Sequence, residues 1–521
     1  MSNYQKSSIT LRKYIEEIII INNASITLIL GITDNEKIFI RFNIYNNVFY
    51  ENLFEFNHNN DAEDAFHFVF NKIIENHYSL EYIDEGKILL FILYDENSNI
   101  SNNRLGLYLK NNFNKLIITN EDIMKELFNY NKKYKVFINE SQNISLANHF
   151  IHDNAFKDLS NIKLNILLLD LSNNRITDIS PLNSDNFKYL RKLYLTNNEI
   201  EDLNGLNNLE LDLLELKLNH NKIVDITPLG NAKFKKIKIL DLSQNKISNI
   251  EALQNIEFDN LKNLNLSFNI IEDISSLENI EFNKLFNLDL SNNNINDVSI
   301  FEKVNYQSIR ILNLSYNKID KIHIKKKLYF RKLKTLLINN NQIKEIIIHG
   351  RIQLNKLKSI NISNNSLEKI SIEKYQKINK LSQLDLSYNK LKDITFFDDI
   401  ELKELKRLHL NNNVIEDITI FGEINSEKIS FLKLSNNNIA EIDVLQKMSI
   451  KNIYYLDLSN NIIKSIKPLE NLHFPKLKGL IISQNLINFN LQKNLDIIEN
   501  LSANGTQHFF FYYKNNNLKY I

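Results

Sequence analysis

From about residue 162 to residue 490 the apolar positions of the chain keep one frame. A leucine is followed three and five residues later by two more, and ten residues later by isoleucine. Leu190, Leu193, Leu195 and Ile200 form one copy; Leu261, Leu264, Leu266 and Ile271 form another. Leu193 and Leu195 alternate with Lys192, Tyr194 and Thr196, a period of two that predicts a short strand buried on one face. An asparagine stands three residues after the last leucine of each copy: Asn174, Asn198, Asn221, Asn245, Asn269, Asn293, Asn317, Asn341, Asn365, Asn389, Asn413, Asn437, Asn461 and Asn485. The step is 24 residues except for the 23 between Asn198 and Asn221. Compositional bias scatters asparagine; it does not set it at a fixed period beside a fixed apolar frame. One copy cannot bury its own apolar side, so its neighbours must cover it and the strands are expected to stack into a parallel sheet. The asparagine falls where the chain leaves the strand. Its amide can both donate to and accept from backbone groups that the turn leaves unpaired.

The return limb is periodic too. Five residues after the asparagine stands Ile179, Leu203, Ile226, Ile250, Ile274 or Val298, and the series continues to Ile466. Thirteen residues after it, Phe187, Phe234, Phe258, Phe282, Phe330 and Phe474 predict an aromatic spine in the core. Three middle copies differ. Lys325, His349 and Glu373 take the eighth place, where leucine is expected, and Ile324, Ile348 and Ile372 stand one residue earlier. Isoleucine then alternates with polar residues over 321–325, 345–349 and 369–373, which predicts extended limbs and locally lower curvature.

These residues resemble the leucine-rich-repeat family over about 162–490, and the D-I-x-P-L variant at Asp178–Leu182 and Asp225–Leu229 is similar to the short repeats of internalins and of phosphatase-regulating repeat proteins. The resemblance implies an α/β solenoid, a horseshoe with a parallel sheet on its concave face, that binds a protein there. Fourteen strands at about 4.8 Å spacing would make that face about 65 Å long.

Outside the repeats the pattern changes. Residues 24–31, 36–44, 79–83, 87–94 and 104–109 read as strands and Asp61–Asn76 as a helix with Phe66, Phe70, Ile73 and Ile74 on one face. Residues 1–115 are therefore expected to form a small α+β domain of unrecognised family, and 116–160 an N-terminal cap with a helix near 121–131. The solenoid is then 161–490. Residues 491–521 read as a β-hairpin cap, with Asn504-Gly505 turning between 497–501 and 507–513. Such a hairpin would shield the last open strand edge.

Composition narrows the chemistry. The 521 residues carry no cysteine, which removes disulfides, thiolate zinc sites and cysteine nucleophiles. A net charge of +1 gives no general argument for a polyanionic partner, so no nucleic acid is expected. The basic run Lys325–Lys327 with Arg331, Lys332 and Lys334 reads as a solvated edge. No apolar run approaches the roughly 20 residues needed to span a bilayer, and Ile18–Ile21, preceded by Glu16 and Glu17, does not read as a secretory signal. A cytoplasmic, monomeric protein is the expectation. The nine glycines are dispersed and form no phosphate loop, and no nucleophile elbow exists. His149 and His152, and His58 and His67, lack a clear third ligand. Neither cofactor, metal nor catalysis is expected.

Binding residues are sought on the strands, where side chains vary against the constant frame. Arg407, His409, Phe431, Lys433, Tyr455 and Asp457 fall on adjacent late strands and include the aromatic and arginine types enriched at hot spots. Lys192, Tyr194, Glu215 and Lys217 make a smaller early patch. Asp170, Asp241, Asp289, Asp385 and Asp457 read as a spread acidic column that serves solubility. The leading expectation is an interaction scaffold or adaptor that holds a protein partner and regulates a bound enzyme. The alternatives are an extracellular, internalin-like adhesin and an enzyme with its chemistry in the N-terminal domain.

Overall fold

A computed structural model describes residues 142–503, apart from gaps at 327, 329, 351, 353, 374–377, 425–426, 449–450, 471 and 473–474. It also describes strands between 11 and 110, helical residues at 130–131 and 133–134, and the strands 510–512 and 518–520. The chain divides into two compact units, Met1–Ile176 with Ser184–Tyr189, and Thr177–Asn183 with Leu190–Ile521.

In the first unit Leu11–Ile21, Ala24–Thr33, Ile38–Ile44 and Asn47–Phe54 form a four-stranded antiparallel meander, and Tyr78–Ile83, Ile88–Leu93 and Leu105–Lys110 a three-stranded one. The apolar run at Ile18–Ile21 is thus strand, and 47–54 adds a strand absent from the sequence reading. The helix expected over 61–76 lies outside the described residues, as does most of that near 121–131. Further on, Asn143–Ser145 pairs in parallel with Leu168–Asp170, and helix Asp153–Ser160 lies between them in sequence. A turn of the solenoid type therefore begins 25 residues before Asn174, with His149 in the asparagine's place. Its Nδ1 lies 2.6 Å from the Ala147 carbonyl. The helix buries Phe156, which meets Phe187 at 5.8 Å between ring centres.

The second unit carries the sheet. Thirteen three-residue strands, from Lys192–Tyr194 to Gly479–Ile481, pair in parallel and in register. The central residue of each points into the core. The return limbs are mostly 3₁₀ turns, such as Glu251–Asn255, Ser275–Asn279 and Thr395–Asp399. An aspartate two residues before the first limb residues starts many of them; Asp273 Oδ1 accepts the Ser275 amide at 2.7 Å and Asp417 Oδ1 the Thr419 amide at 2.8 Å. Phe234, Phe258, Phe282 and Phe330 are buried as expected, and Phe474 lies outside the described residues. Tyr306 continues the spine: its ring lies 5.2 Å from Phe282, and its hydroxyl donates to the Leu277 carbonyl at 2.7 Å. Burial raises the Tyr306 hydroxyl pKa well above the usual phenol value.

The asparagines cross-link consecutive coils. Asn269 Nδ2 donates to the Leu242 carbonyl of the preceding coil at 3.0 Å and to Leu266 and Ser267 of its own at 3.0 and 3.2 Å. Its Oδ1 accepts the Ile247 amide at 3.0 Å. The same set recurs at Asn245, Asn293, Asn317, Asn389 and Asn437. The residue just before each asparagine, from Asn173 to Gln484, is left-handed, with φ from 51° to 59°. Asparagine tolerates that conformation best among residues with a side chain, and it fills the place at 173, 197, 292, 340, 364, 412, 436 and 460.

In the middle coils the limbs are strands. Lys321–Ile324, Glu345–Ile348 and Lys369–Ile372 form a second parallel sheet, over the segments whose isoleucines alternate. The polar partners of those isoleucines pair along its outside: His323 Nε2 lies 2.6 Å from Glu345 Oε1 and His349 Nδ1 3.5 Å from Glu373 Oε1. At the C-terminus the sequence reading needs correction. Residues 497–501 belong to helix Gln492–Ala503, not to a hairpin strand. That helix buries Ile497, Ile498 and Leu501, whose spacing at i, i+1 and i+4 is helical. The hairpin lies further on: Phe510–Tyr512 pairs in parallel with Gly479–Ile481 and antiparallel with Leu518–Tyr520. It covers the edge of Gly479–Ile481.

Candidate functional site

Strand register decides which side chains become neighbours. Gln383, Arg407, Phe431, Tyr455 and Gly479 occupy one row across consecutive strands, and Asp385, His409, Lys433, Asp457 and Ile481 the next. The Arg407 guanidinium lies over the Phe431 ring at 5.4 Å, and the Phe431 and Tyr455 rings stack at 6.4 Å and 29°. Tyr454 flanks Phe431 at 5.4 Å and is itself covered by the Lys478 ammonium at 5.3 Å. The late patch is thus a stacked aromatic row with cations at its margins, the geometry that favours a cation–π pair. Neither Arg407 nor Lys433 has an ion-pair partner among the described residues. His409 Nδ1 stands 3.5 Å from Asp385 Oδ2. Burial works to raise the Asp385 carboxyl; His409 and the Ser387 hydroxyl and amide outweigh it and hold the group below the usual carboxylate range.

Sequence reasoning missed Gly479. A Cβ there would stand 2.8 Å from Tyr455 Cδ2, so the bare backbone lets the Tyr455 ring lie across the neighbouring strand. The only signal in the sequence is a glycine where other strands carry side chains.

The early patch is assembled differently. Lys192 Nζ pairs with Glu215 Oε1 at 2.8 Å, the Tyr194 hydroxyl donates to Glu215 Oε2 at 2.6 Å, and Lys217 Nζ covers the Tyr194 ring at 4.5 Å. Burial works to raise the Glu215 carboxyl, but Lys192 and Tyr194 hold it below its ordinary value. Lys192 and Tyr194 thus saturate Glu215, and Lys217 rests on the Tyr194 ring, so the cluster carries one net positive charge.

The aspartates read as an acidic column have a local task. Asp241, Asp289, Asp385 and Asp457 each accept the amide of the serine two residues on at 3.0 Å, and its hydroxyl at 2.6 or 2.7 Å. Asp170 accepts the Ser172 amide at 2.9 Å. Asn265, Asn313 and Asn361 do the same with Ser267, Ser315 and Ser363. The signal was the D-x-S or N-x-S spacing at the strand end, an Asx turn.

The described members of the basic run, Lys325, Lys326, Arg331, Lys332 and Lys334, are exposed. Among the described residues no three histidine or carboxylate side chains cluster as a metal site, and no helix is long and apolar enough to cross a membrane. His58 and His67 lie outside the described residues.

The recurring frame has a known counterpart. The family described as "Leucine Rich repeats (2 copies)" matches residues 164–208 and 379–423, and that described as "Leucine rich repeat" matches 331–391. The repeating coils of the chain are leucine-rich repeats. Its repeats are similar to solved structures. An internalin of Listeria monocytogenes is 25% identical, with 67% of this chain and 91% of that one covered and a TM-score of 0.46. A leucine-rich-repeat protein of Leptospira interrogans is 20% identical, with 75% and 98% covered and a TM-score of 0.44. The LRIM1/APL1C complex contains a chain 22% identical, with 67% and 60% covered and a TM-score of 0.50. No curated protein matches. The residues of the late patch lie on the face of the sheet opposite the buried Leu408, Leu432 and Leu456.

Proposed function

We propose that this leucine-rich-repeat protein holds a protein partner against the open face of its sheet, with the late strands as the principal contact. Thirteen strands at about 4.8 Å spacing offer a face about 58 Å long, enough for a standard interface. The observation that carries the reading is the contrast between the two patches. In the early cluster Glu215 takes up the Tyr194 hydroxyl and one of the two lysines, whereas in the late patch Arg407 lies over Phe431, whose ring stacks with Tyr455, and Arg407 and Lys433 have no ion-pair partner among the described residues. Aromatic rings and arginine at the centre of a patch are the chemistry of binding hot spots, and the cations favour a partner segment that carries carboxylates beside apolar groups. The antiparallel meanders of residues 11–110 supply a second module, to localise or dock the complex in a cytoplasmic setting, and a bound enzyme is a partner that such a scaffold would regulate.

The test is quantitative capture by the full chain from an extract of its source cells, against the triple variant Arg407→Ala, Phe431→Ala, Tyr455→Ala and the control Lys192→Ala, Tyr194→Ala. Hot-spot truncations cost about 2 kcal/mol or more each, so the triple variant should lose at least about a hundredfold in affinity while the control keeps its partners. Equal capture by the triple variant and the wild type would overturn the reading.

A further inference from the structure

The middle coils enclose a cavity. Its volume is about 250 Å³, and it lies between the main sheet and the second sheet formed by residues 321–324, 345–348 and 369–372. Two features of the sequence make this room. An extended limb rises about 3.3 Å per residue against about 2.0 Å in a 3₁₀ turn, so the second sheet spans more of the coil with fewer side chains pointing inward. The spine also loses its rings: Leu354 and Ile378 stand at the thirteenth place, which Phe330 fills one coil earlier.

Burial records the same space independently. The central strand residue is buried in eleven of the thirteen strands of the second unit, from Leu193 to Leu480. At the two remaining strands Leu336 and Ile360 are only half-buried, and both line the cavity. The wall is otherwise almost wholly branched aliphatic. Along this aliphatic part a water would find no polar side chain among the described residues, while the space exceeds the roughly 150 Å³ at which an apolar cavity stays dry and admits benzene. An empty void of this size leaves its lining without dispersion contacts on one side.

Among the described lining residues the polar ones are confined to the coils at one end. Asp297, Ser299, Glu302, Lys321 and His323 gather there. Asp297 is occupied by Ser299, Glu302 accepts the Lys325 amide, and His323 meets Glu345. Lys321 is exposed and has no ion-pair partner among the described residues. We infer that the cavity binds a fatty acid: its unbranched acyl chain lies between the two sheets and its carboxylate meets the Lys321 ammonium.

The experiment uses the full chain. N-phenyl-1-naphthylamine, whose fluorescence rises in apolar surroundings, is titrated in, and laurate and dodecanol are then used to displace it. Laurate should displace the probe at least about tenfold more effectively than dodecanol, and Lys321→Gln should remove that advantage while leaving the probe bound. The double variant Leu354→Phe, Ile378→Phe restores the aromatic spine. It should melt no lower than the wild type and lose at least tenfold in affinity for both probe and laurate. Ile360→Phe fills the same space from the other sheet and keeps the test decisive if the double variant fails to fold. The inference is overturned if the wild type takes up neither probe nor laurate, if the filled variants bind both as well as the wild type, or if dodecanol competes as well as laurate.

Discussion

Replacing Asn269 by alanine isolates what one rung of the asparagine ladder contributes. Four bonds involve its side chain, but they are not equally exposed to loss. The Leu242 carbonyl also accepts from Asn245 at 3.0 Å, and the Leu266 carbonyl from Asn293 at 3.0 Å. Each keeps one donor after the substitution. The Ile247 amide has Asn269 Oδ1, at 3.0 Å, as its acceptor and would lose it inside a coil where Asn269 itself is only 7% exposed. One orphaned buried donor costs about 1–3 kcal/mol, and the small void left by the amide adds to it, so the expected loss is about 2–3 kcal/mol. Asn269→Asp should cost more at neutral pH, because a carboxylate would face three carbonyl oxygens. That arrangement raises the carboxyl pKa above its unfolded value, so the variant should regain stability as pH falls and the acid form supplies a donor. Urea denaturation of the full chain gives the stability change, and amide hydrogen exchange locates it. Exchange at Ile247 should quicken by about thirtyfold or more, while the amides of distant coils keep their rates. A stability loss below about 0.5 kcal/mol with Ile247 exchange unchanged would refute the argument that this donor depends on its one acceptor.

Three further outcomes are expected. Phe268 holds a left-handed φ of 53° with its ring 52% exposed, so Phe268→Asn should raise the melting temperature, by about 0.5–1 kcal/mol in stability; a fall would show that the ring contributes packing instead. Gly479→Ala should tilt the Tyr455 ring off its neighbour and weaken partner capture several-fold with the melting temperature nearly unchanged, and intact capture would argue against the stacked row. The carboxyl of Asp385 is held below its unfolded pKa, so its contribution is present at neutral pH and is lost as pH falls below about 4. Asp385→Asn can make with Ser387 the bonds that Asn361 makes with Ser363 but lacks the charge, so it should be less stable than the wild type at pH 7, converge with it below about pH 4 and lose less stability on acidification, as urea midpoints against pH would show.

The solenoid was legible because its signal repeats. A leucine frame and an asparagine at a constant step cannot arise locally, and the three alternating isoleucine segments sit where the second sheet lies. What the sequence hid was not periodic, or was periodic in the wrong residue type. His149 takes the ladder place in a coil that lacks the asparagine, so the frame seemed to begin one coil later. Tyr306 continues a spine of phenylalanines because its hydroxyl finds the Leu277 carbonyl, which no pattern announces. Helix 492–503 carries apolar residues that also suit a strand, and Asn504-Gly505 drew the turn too early. The late patch was legible as neighbours in register. The pairing of Glu215 with both Lys192 and Tyr194 in the early patch was not, because it depends on side-chain rotamers.

Two sheets in the middle coils also have a mechanical consequence. Elsewhere the backbone ladder runs along one face, and the opposite side, made of short turns, can open or close like the outer edge of a fan. Over residues 321–372 both faces are zipped by parallel strands, so bending there would stretch hydrogen bonds on one side or the other. If the proposed scaffold bends to hold a partner, the bending is expected in the stretches before and after this splint, and the aromatic row lies on the later of the two.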